Sequence, residues 1–310
     1  MSSPPPHDCA PPAAAARERG LARFSLDFVV ETVSGGIDGL KTLDCVLMMA
    51  INQANIAPLT RNPEARSRYG GLDAPAPDAE RRPVSVRAVA ASMRLPYETA
   101  RRNIRRLEAQ GVCILSPAGV VVPATFMRSV EYLEAAQDCY HRMQALYVTL
   151  RAASLLDALP ASHYVDDEPP VRGAVRLMSD YLLRTSEVLV ARTGGIVSGV
   201  ILTPLLSQAA GALPGSAAGL SMAAISRRVQ TPAETVRRQI AALVAEGACE
   251  IRAGRVMLTD HQLTGEAWSG LLRDNAINVH RLFAGLAERG LVEAWDRAAG
   301  FDPARVKGIA

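Results

Sequence analysis

Two short stretches of this 310-residue chain concentrate arginine. Residues 85–111 hold Arg87, Arg94, Arg101, Arg102, Arg105 and Arg106 against only Glu98 and Glu108. Residues 221–255 hold Arg227, Arg228, Arg237, Arg238, Arg252 and Arg255 against Glu234, Glu246 and Glu250. A guanidinium can neutralise a phosphate, and its planar fork matches O6 and N7 of guanine. The whole chain carries a formal charge of only +3, so everything outside these stretches is net acidic. Net charge alone would not argue for a nucleic-acid partner. Its concentration in two segments does, because a phosphate-binding surface needs local charge.

Other chemistry finds little footing. The five cysteines (Cys9, Cys45, Cys113, Cys139 and Cys249) are widely spaced and form no CxxC pair. That argues against a zinc site and a disulfide framework, and it fits a reducing compartment. No nucleophile constellation or metal spacing occurs, and Gly194-Gly195 lacks the context of a phosphate loop. The expectation is therefore not an enzyme, with no cofactor and no metal. His141 and His280 read as structural, Cys113 and Cys249 as small buried residues, and Trp268 and Trp295 as packing between helices.

The elements that must position these arginines repeat. Ser85–Cys113 aligns without a gap over Ser221–Cys249 at an offset of 136, with 12 of 29 positions identical. The shared string is P-x-E-T-x-R-R-x-I-x-x-L-x-A-x-G. Before each copy lies an apolar helical pattern opening on Gly-Gly-Ile, at 35–37 and 194–196. His141-Arg142 and His280-Arg281 follow at similar distances. Each half thus reads as leading helix, arginine-rich unit and trailing helix, an internal duplication.

Within the first unit, Ser85 is an N-cap for a short helix whose apolar positions, Val86, Val89, Ala90 and Met93, share one face. Arg94-Leu95-Pro96 breaks that helix. A second helix from Tyr97 to Gln110 buries Ala100, Ile104 and Leu107, and Gly111 supplies a left-handed cap. VCIL and GVVVP then read as a hairpin around Ser116–Gly119. In the second unit, Thr231-Pro232-Ala233-Glu234 predicts a capping box with proline at the first helical position. Val236, Ile240 and Leu243 form the buried stripe, Gly247 ends the helix, and CEIRAG with RVMLT form the hairpin. Helix, turn, helix and hairpin make a winged helix-turn-helix.

The strings LPYETARRNIRRLEAQG and TPAETVRRQIAALVAEG resemble the recognition helices of bacterial winged-helix transcription regulators of the GntR, MarR, IclR and Crp kinds. The resemblance covers about 40 residues in each half and no whole family pattern. The flanking helices resemble the MarR arrangement, in which such helices form a dimer interface. The resemblance implies double-stranded DNA as partner, with one recognition helix of each unit in the major groove. The residues then expected at DNA are Ser85, Tyr97, Thr99, Arg101, Arg102, Asn103, Arg105 and Arg106 in the first unit. In the second they are Arg227, Arg228, Thr235, Arg237, Arg238, Gln239, Arg252 and Arg255. Asn103 would pair with adenine if it points outward, and Ser85 and Thr99 would bond phosphates. Arg105 and Arg106 are replaced by Ala241 and Ala242, so two unequal half-sites are expected.

The fold class expected is mainly α, with two tandem winged helix-turn-helix units, each flanked by long helices. The domain reading is a disordered tail (1–20), a first half (21–160), a linker (161–172, including Asp166-Asp167-Glu168), a second half (173–300) and a tail (301–310). The stretch from about Pro58 to Pro83 is expected to be an exposed loop. Thr193–Ser226 carries no charge and exceeds the roughly 20 residues of a membrane span. Its prolines, glycines and polar residues, and its charged counterpart in the first half, favour a buried helix plus a loop and no membrane span. The N-terminus lacks the order of a signal peptide. The expected function is a cytoplasmic, nucleoid-associated transcription regulator that acts as a pseudo-dimer within one chain. A homodimer of such chains is compatible with this, and no effector is legible. The alternatives are a plasmid-type replication initiator and a tandem winged-helix interaction module of a chromosome-organising complex.

Overall fold

The computed structural model describes residues 12–162, 170–212, 219–258, 262–263 and 265–299. The protein is mainly helical, with two small antiparallel sheets. In the first half, α1 (Pro12–Ser34), α2 (Thr42–Arg61) and the short α3 (Pro63–Arg68) lead to α4 (Val86–Ser92) and α5 (Tyr97–Ala109). Strands β1 (Ile114–Ser116) and β2 (Gly119–Val121) and the long α6 (Val130–Ala152) follow. In the second half, α7 (Val171–Thr193) and α8 (Ile196–Gly211) lead to α9 (Met222–Arg228) and α10 (Ala233–Ala245). Strands β3 (Cys249–Arg252) and β4 (Arg255–Leu258) then precede α11 (Glu266–Ala287) and α12 (Leu291–Ala298).

The arginine-rich segments fold alike, for local reasons. The Ser85 and Ser221 hydroxyls accept from the backbone N–H of Ala88 and Ala224, at 3.1 and 3.2 Å, and so cap α4 and α9. Both helices end with a non-glycine residue in the left-handed region, Arg94 (φ 47°) and Gln230 (φ 45°). The next N–H, of Leu95 or Thr231, reaches back to the carbonyl of Ala90 or Ser226. Helices α5 and α10 end in the same manner on glycine. Gly111 and Gly247 have φ of 73° and 71°, and the N–H groups of Val112 and Ala248 bond the carbonyls of Leu107 and Leu243. The hairpins share one register at the 136-residue offset: Ile114 faces Val121, and Glu250 faces Met257. Val84 and Leu220 each add an antiparallel bridge, to Val120 and Val256.

The halves interlock. Ala22, Leu26 and Val30, spaced one helical turn apart on α1, belong to the core beneath α8, α9, α10 and the β3–β4 hairpin. Phe28, Val29 and Val33, also on α1, join the larger core. There α7, through Val171, Ala174, Met178 and Leu182, packs against α2 and α6. The first half thus lends α1 to the core behind the second arginine-rich segment, whereas α7 packs on α2, the helix behind the first. A polar knot pins the crossing: Asn275 of α11 donates to Ser25 Oγ (2.8 Å), and Tyr181 of α7 donates to Asn275 Oδ1 (3.2 Å). At the far end Trp295 donates to Tyr140 (2.8 Å), packed in the core between α6 and α12. Trp268 belongs to the smaller core, and the two tryptophans lie in different cores.

Several expectations change. Helix α1 begins at Pro12, so residues 12–20 are helical, where a tail was expected. Residues 1–11, the Asp166–Glu168 stretch and 301–310 lie outside the described residues. Helix α2 runs through Pro58 to Arg61, and Tyr69, Ala76 and Arg81 are buried, so the expected exposed loop is partly helix and partly core. The Thr231 capping box does not form. Pro232 itself is the N-cap, the Thr231 hydroxyl donates to Val229 O (3.1 Å), and the Glu234 carboxylate takes Arg237. Among the described residues no single helix is long and apolar enough to cross a membrane. Helices α7 and α8 pass that test only as a pair, and they bend by 100° at Gly194-Gly195.

Candidate nucleic-acid interface

On α5 the buried stripe is Ala100, Asn103, Ile104 and Leu107. At 100° per residue, Glu98, Arg101, Arg102 and Arg105 fall together on the opposite face. Arg102 and Arg105 are exposed, and among the described residues neither makes an ion pair. Arg101 is half-exposed and meets Glu98 at 3.3 Å, a surface pairing that a phosphate can displace. Tyr97, 48% exposed, stands at the helix start. Thr99 is half-buried one turn in. Pro96 caps α5 with no side-chain acceptor, and its carbonyl takes the N–H groups of Thr99 and Ala100, so that only the Tyr97 and Glu98 N–H groups lack a partner within the helix. Ser85 is exposed at the start of α4, its oxygen already accepting the capping bond. Arg87 and Arg94 are exposed on α4 and at the turn, although they were not among the expected DNA-contacting residues. The arginine clustering of residues 85–111 was the signal for them.

Two expected contacts on α5 are corrected. Asn103 is buried, three residues from Ala100 and four from Leu107, and lies inside the apolar stripe. It cannot read a base. Arg106 turns toward α2 and forks onto Asp44, with Nε–Oδ2 3.1 Å and Nη2–Oδ1 2.5 Å. The Asp44 carboxylate is 1% exposed, so this arginine ties α5 to the body of the protein.

The second segment is less basic at its surface. Arg237 is 65% exposed and forks onto Glu234, whose carboxyl is held below its usual range first by that hydrogen bond. Arg238 is exposed on the same face, Arg227 is exposed in the last turn of α9, and Thr235 is half-buried. Arg228 is a correction: it pairs with Asp27, tying α9 to α1. Gln239 is another. Its side-chain oxygen accepts from Ser198 of α8 at 2.6 Å, so it faces inward as Asn103 does. At the hairpin tip Arg252 meets Glu250 (2.8 Å), and Arg255 donates to Gly219 O (2.9 Å) with its side chain still exposed. Where α5 presents Arg105 and Glu108, α10 presents Ala241 and Val244.

The cysteines behind the hairpins are inert. Burial pushes the Cys113 thiol up to about 12 and the Cys249 thiol up to about 11, with Glu108 and Glu250 adding in the same direction. His141 is exposed beside Gln137, and His280 is half-buried. Among the described residues no group of three or more His, Cys, Asp or Glu side chains is placed to hold a metal. The outer face of α5 gathers exposed guanidinium groups at a helix whose N-terminus has no side-chain cap. No protein-family model, curated protein or solved structure matches the chain.

Proposed function

We propose that the protein is a sequence-specific, double-stranded DNA-binding transcription regulator built as a duplicated chain, with α4–α5–β1–β2 and α9–α10–β3–β4 as its two winged helix-turn-helix units. The observation that carries the reading is the outer face of α5. Arg101, Arg102 and Arg105 project there from a helix whose other face is core and whose N-terminal N–H groups have no side-chain cap. Such a helix suits the major groove: arginines reach base edges and phosphates, and the N-terminus accepts a phosphate. The α5 helix is the principal reader. The second unit adds Arg227, Arg238 and the wing residues Arg252 and Arg255, contacts suited to positioning on the backbone more than to base readout. The passage of α1 into the second half's core and the packing of α7 on α2 support the reading of a pseudo-dimer inside one chain.

The test is selection of genomic duplex fragments by the full chain, followed by mobility shift with a variant carrying Arg101→Ala, Arg102→Ala, Arg237→Ala and Arg238→Ala. Retained fragments sharing a common sequence, with binding lost in the variant, support the proposal. Equal retention of all duplexes, or unchanged binding by the variant, refutes it.

A further inference from the structure

The two units differ at the outer edge of their hairpins. Val120 exchanges both backbone bonds with Val84 (3.1 and 2.8 Å), and Val256 exchanges both with Leu220 (2.9 and 2.8 Å). The residues that face them across the hairpin, Leu115 and Ile251, are therefore in the non-bonded pairs of the ladder. Their own N–H and C=O groups point away from the sheet. The tight turn at Ala253 and Gly254 (φ 48° and 73°) fits this alternation, since it makes Arg252 and Arg255 the bonded closing pair.

In the first unit this edge is closed. The Glu108 carboxylate accepts from the Leu115 N–H at 3.0 Å, which occupies the donor and sets a charge on the edge. At the 136-residue offset, Val244 stands in place of Glu108 and Ile251 in place of Leu115. Val244 is 37% and Ile251 47% exposed. Among the described residues, no group outside the hairpin bonds the Ile251 backbone. A strand edge with an unused donor and acceptor, flanked by exposed apolar side chains, is a template for another strand. The residues of β3 indicate which strand fits. Glu250 and Arg252 flank Ile251, project from the opposite face of the strand and pair with each other at 2.8 Å. In an antiparallel pairing centred on Ile251, position 250 of one strand lies directly opposite position 252 of the other. A second copy of β3 is thus complementary in charge: each Glu250 lies opposite the second copy's Arg252, and the contact occurs twice.

We infer that the chain forms a two-fold dimer by antiparallel pairing of β3 with β3 of a second copy, along the outer edge of the second hairpin. The two Ile251 residues exchange N–H and C=O bonds at the axis. Their side chains lie on the face that carries Val256 into the core of α10, and the Glu250–Arg252 contacts lie on the other face. A two-fold pairing of this kind is self-complementary and closes the edge in both copies. Helices α1 and α7 take no part, being already packed within one chain. Arg252 exchanges one glutamate for another, so the dimer goes beyond the function proposed above and does not depend on it. The edge is short, which places the contact among small, reversible interfaces.

The experiment is sedimentation velocity on the full chain without DNA, over about 1–300 μM, the range in which so small an interface assembles. The expected result is a reversible monomer–dimer equilibrium. Val244→Glu, which copies Glu108 of the first unit, should raise the dissociation constant by about tenfold or more. Ile251→Pro removes the outward N–H and should do the same. Glu250→Arg alone and Arg252→Glu alone set like charges opposite each other and should also weaken the dimer, whereas the two together restore it. Each variant is checked for a native circular dichroism spectrum. If Ile251→Pro fails to fold, Val244→Glu and the charge exchange still decide. A monomer at every concentration overturns the inference, whether or not a strand of another protein takes the edge. So does a dimer that Val244→Glu leaves intact, which is formed through another surface, or a double charge exchange that fails to restore assembly.

Discussion

Arg106 forks onto Asp44 across 62 residues of sequence, and the carboxylate it meets is 1% exposed. Its neighbour Arg105 is exposed and, among the described residues, makes no ion pair. Adjacent arginines on one helix thus do different work. Arg106→Ala strands a buried carboxylate and should destabilise the protein by about 2 kcal/mol, discounted because the arginine itself is 36% exposed. Arg105→Ala should leave stability within about 0.5 kcal/mol and weaken duplex binding. Urea unfolding of both variants beside their DNA affinities checks this; equal stability loss would contradict it.

The passage of α1 into the second half's core makes the halves interdependent. Leu26→Ala opens a void in the core beneath α9 and α10, although Leu26 belongs to the first half, and should cost about 3 kcal/mol. A fragment of residues 171–299, lacking α1, should show no cooperative thermal transition, since the partners of Ala22, Leu26 and Val30 face water. A sharp transition at the temperature of the full chain would show that α1 is dispensable to that core.

The hairpin cysteines give a pH prediction. Both folded thiols lie above the ordinary value of 9.0, so in an alkaline window the unfolded chain loses protons that the folded one keeps. Their contribution to stability is full below about pH 9 and is lost as pH rises toward about 12. The buried Tyr181 hydroxyl, pushed up to about 12 by desolvation, acts in the same direction. Cys113→Ala should flatten the alkaline decline in urea-unfolding stability. At neutral pH, native protein treated with iodoacetamide should show no alkylation of Cys113 or Cys249 by mass spectrometry. Labelling at the rate of a free thiol would contradict their burial.

Part of the local chemistry was legible in the sequence. Ser85 as a cap, Gly111 and Gly247 as left-handed ends and the break before Pro96 involve partners within a few residues, so types and spacing suffice; the Thr231 capping box was misread, because Glu234 takes Arg237 one turn on. The inward turn of Asn103 was also readable, because it falls three and four residues from apolar stripe positions; its polar type masked the geometry. The bonds of Arg106 to Asp44 and Arg228 to Asp27 were not readable, since their partners are 62 and 201 residues away. Nor was the passage of α1 beneath the second half, as an apolar stripe says that a helix is buried but not against which core. The burial of Arg172 was hidden for a related reason: it sits one turn from Arg176 on α7 as a solvated face would, and only long-range packing removes it from water.

The most direct measurement of the central claim is the salt dependence of duplex DNA affinity, by fluorescence anisotropy, for the full chain and for Arg101→Ala/Arg102→Ala/Arg105→Ala. The wild-type affinity should fall linearly on a log–log plot against salt. The variant's slope should be shallower by about 0.9 for each phosphate that it no longer neutralises, at an unchanged melting temperature. A duplex affinity that is absent at low salt, or a slope that the three substitutions leave unaltered, would contradict the assignment of α5 as the DNA-reading helix.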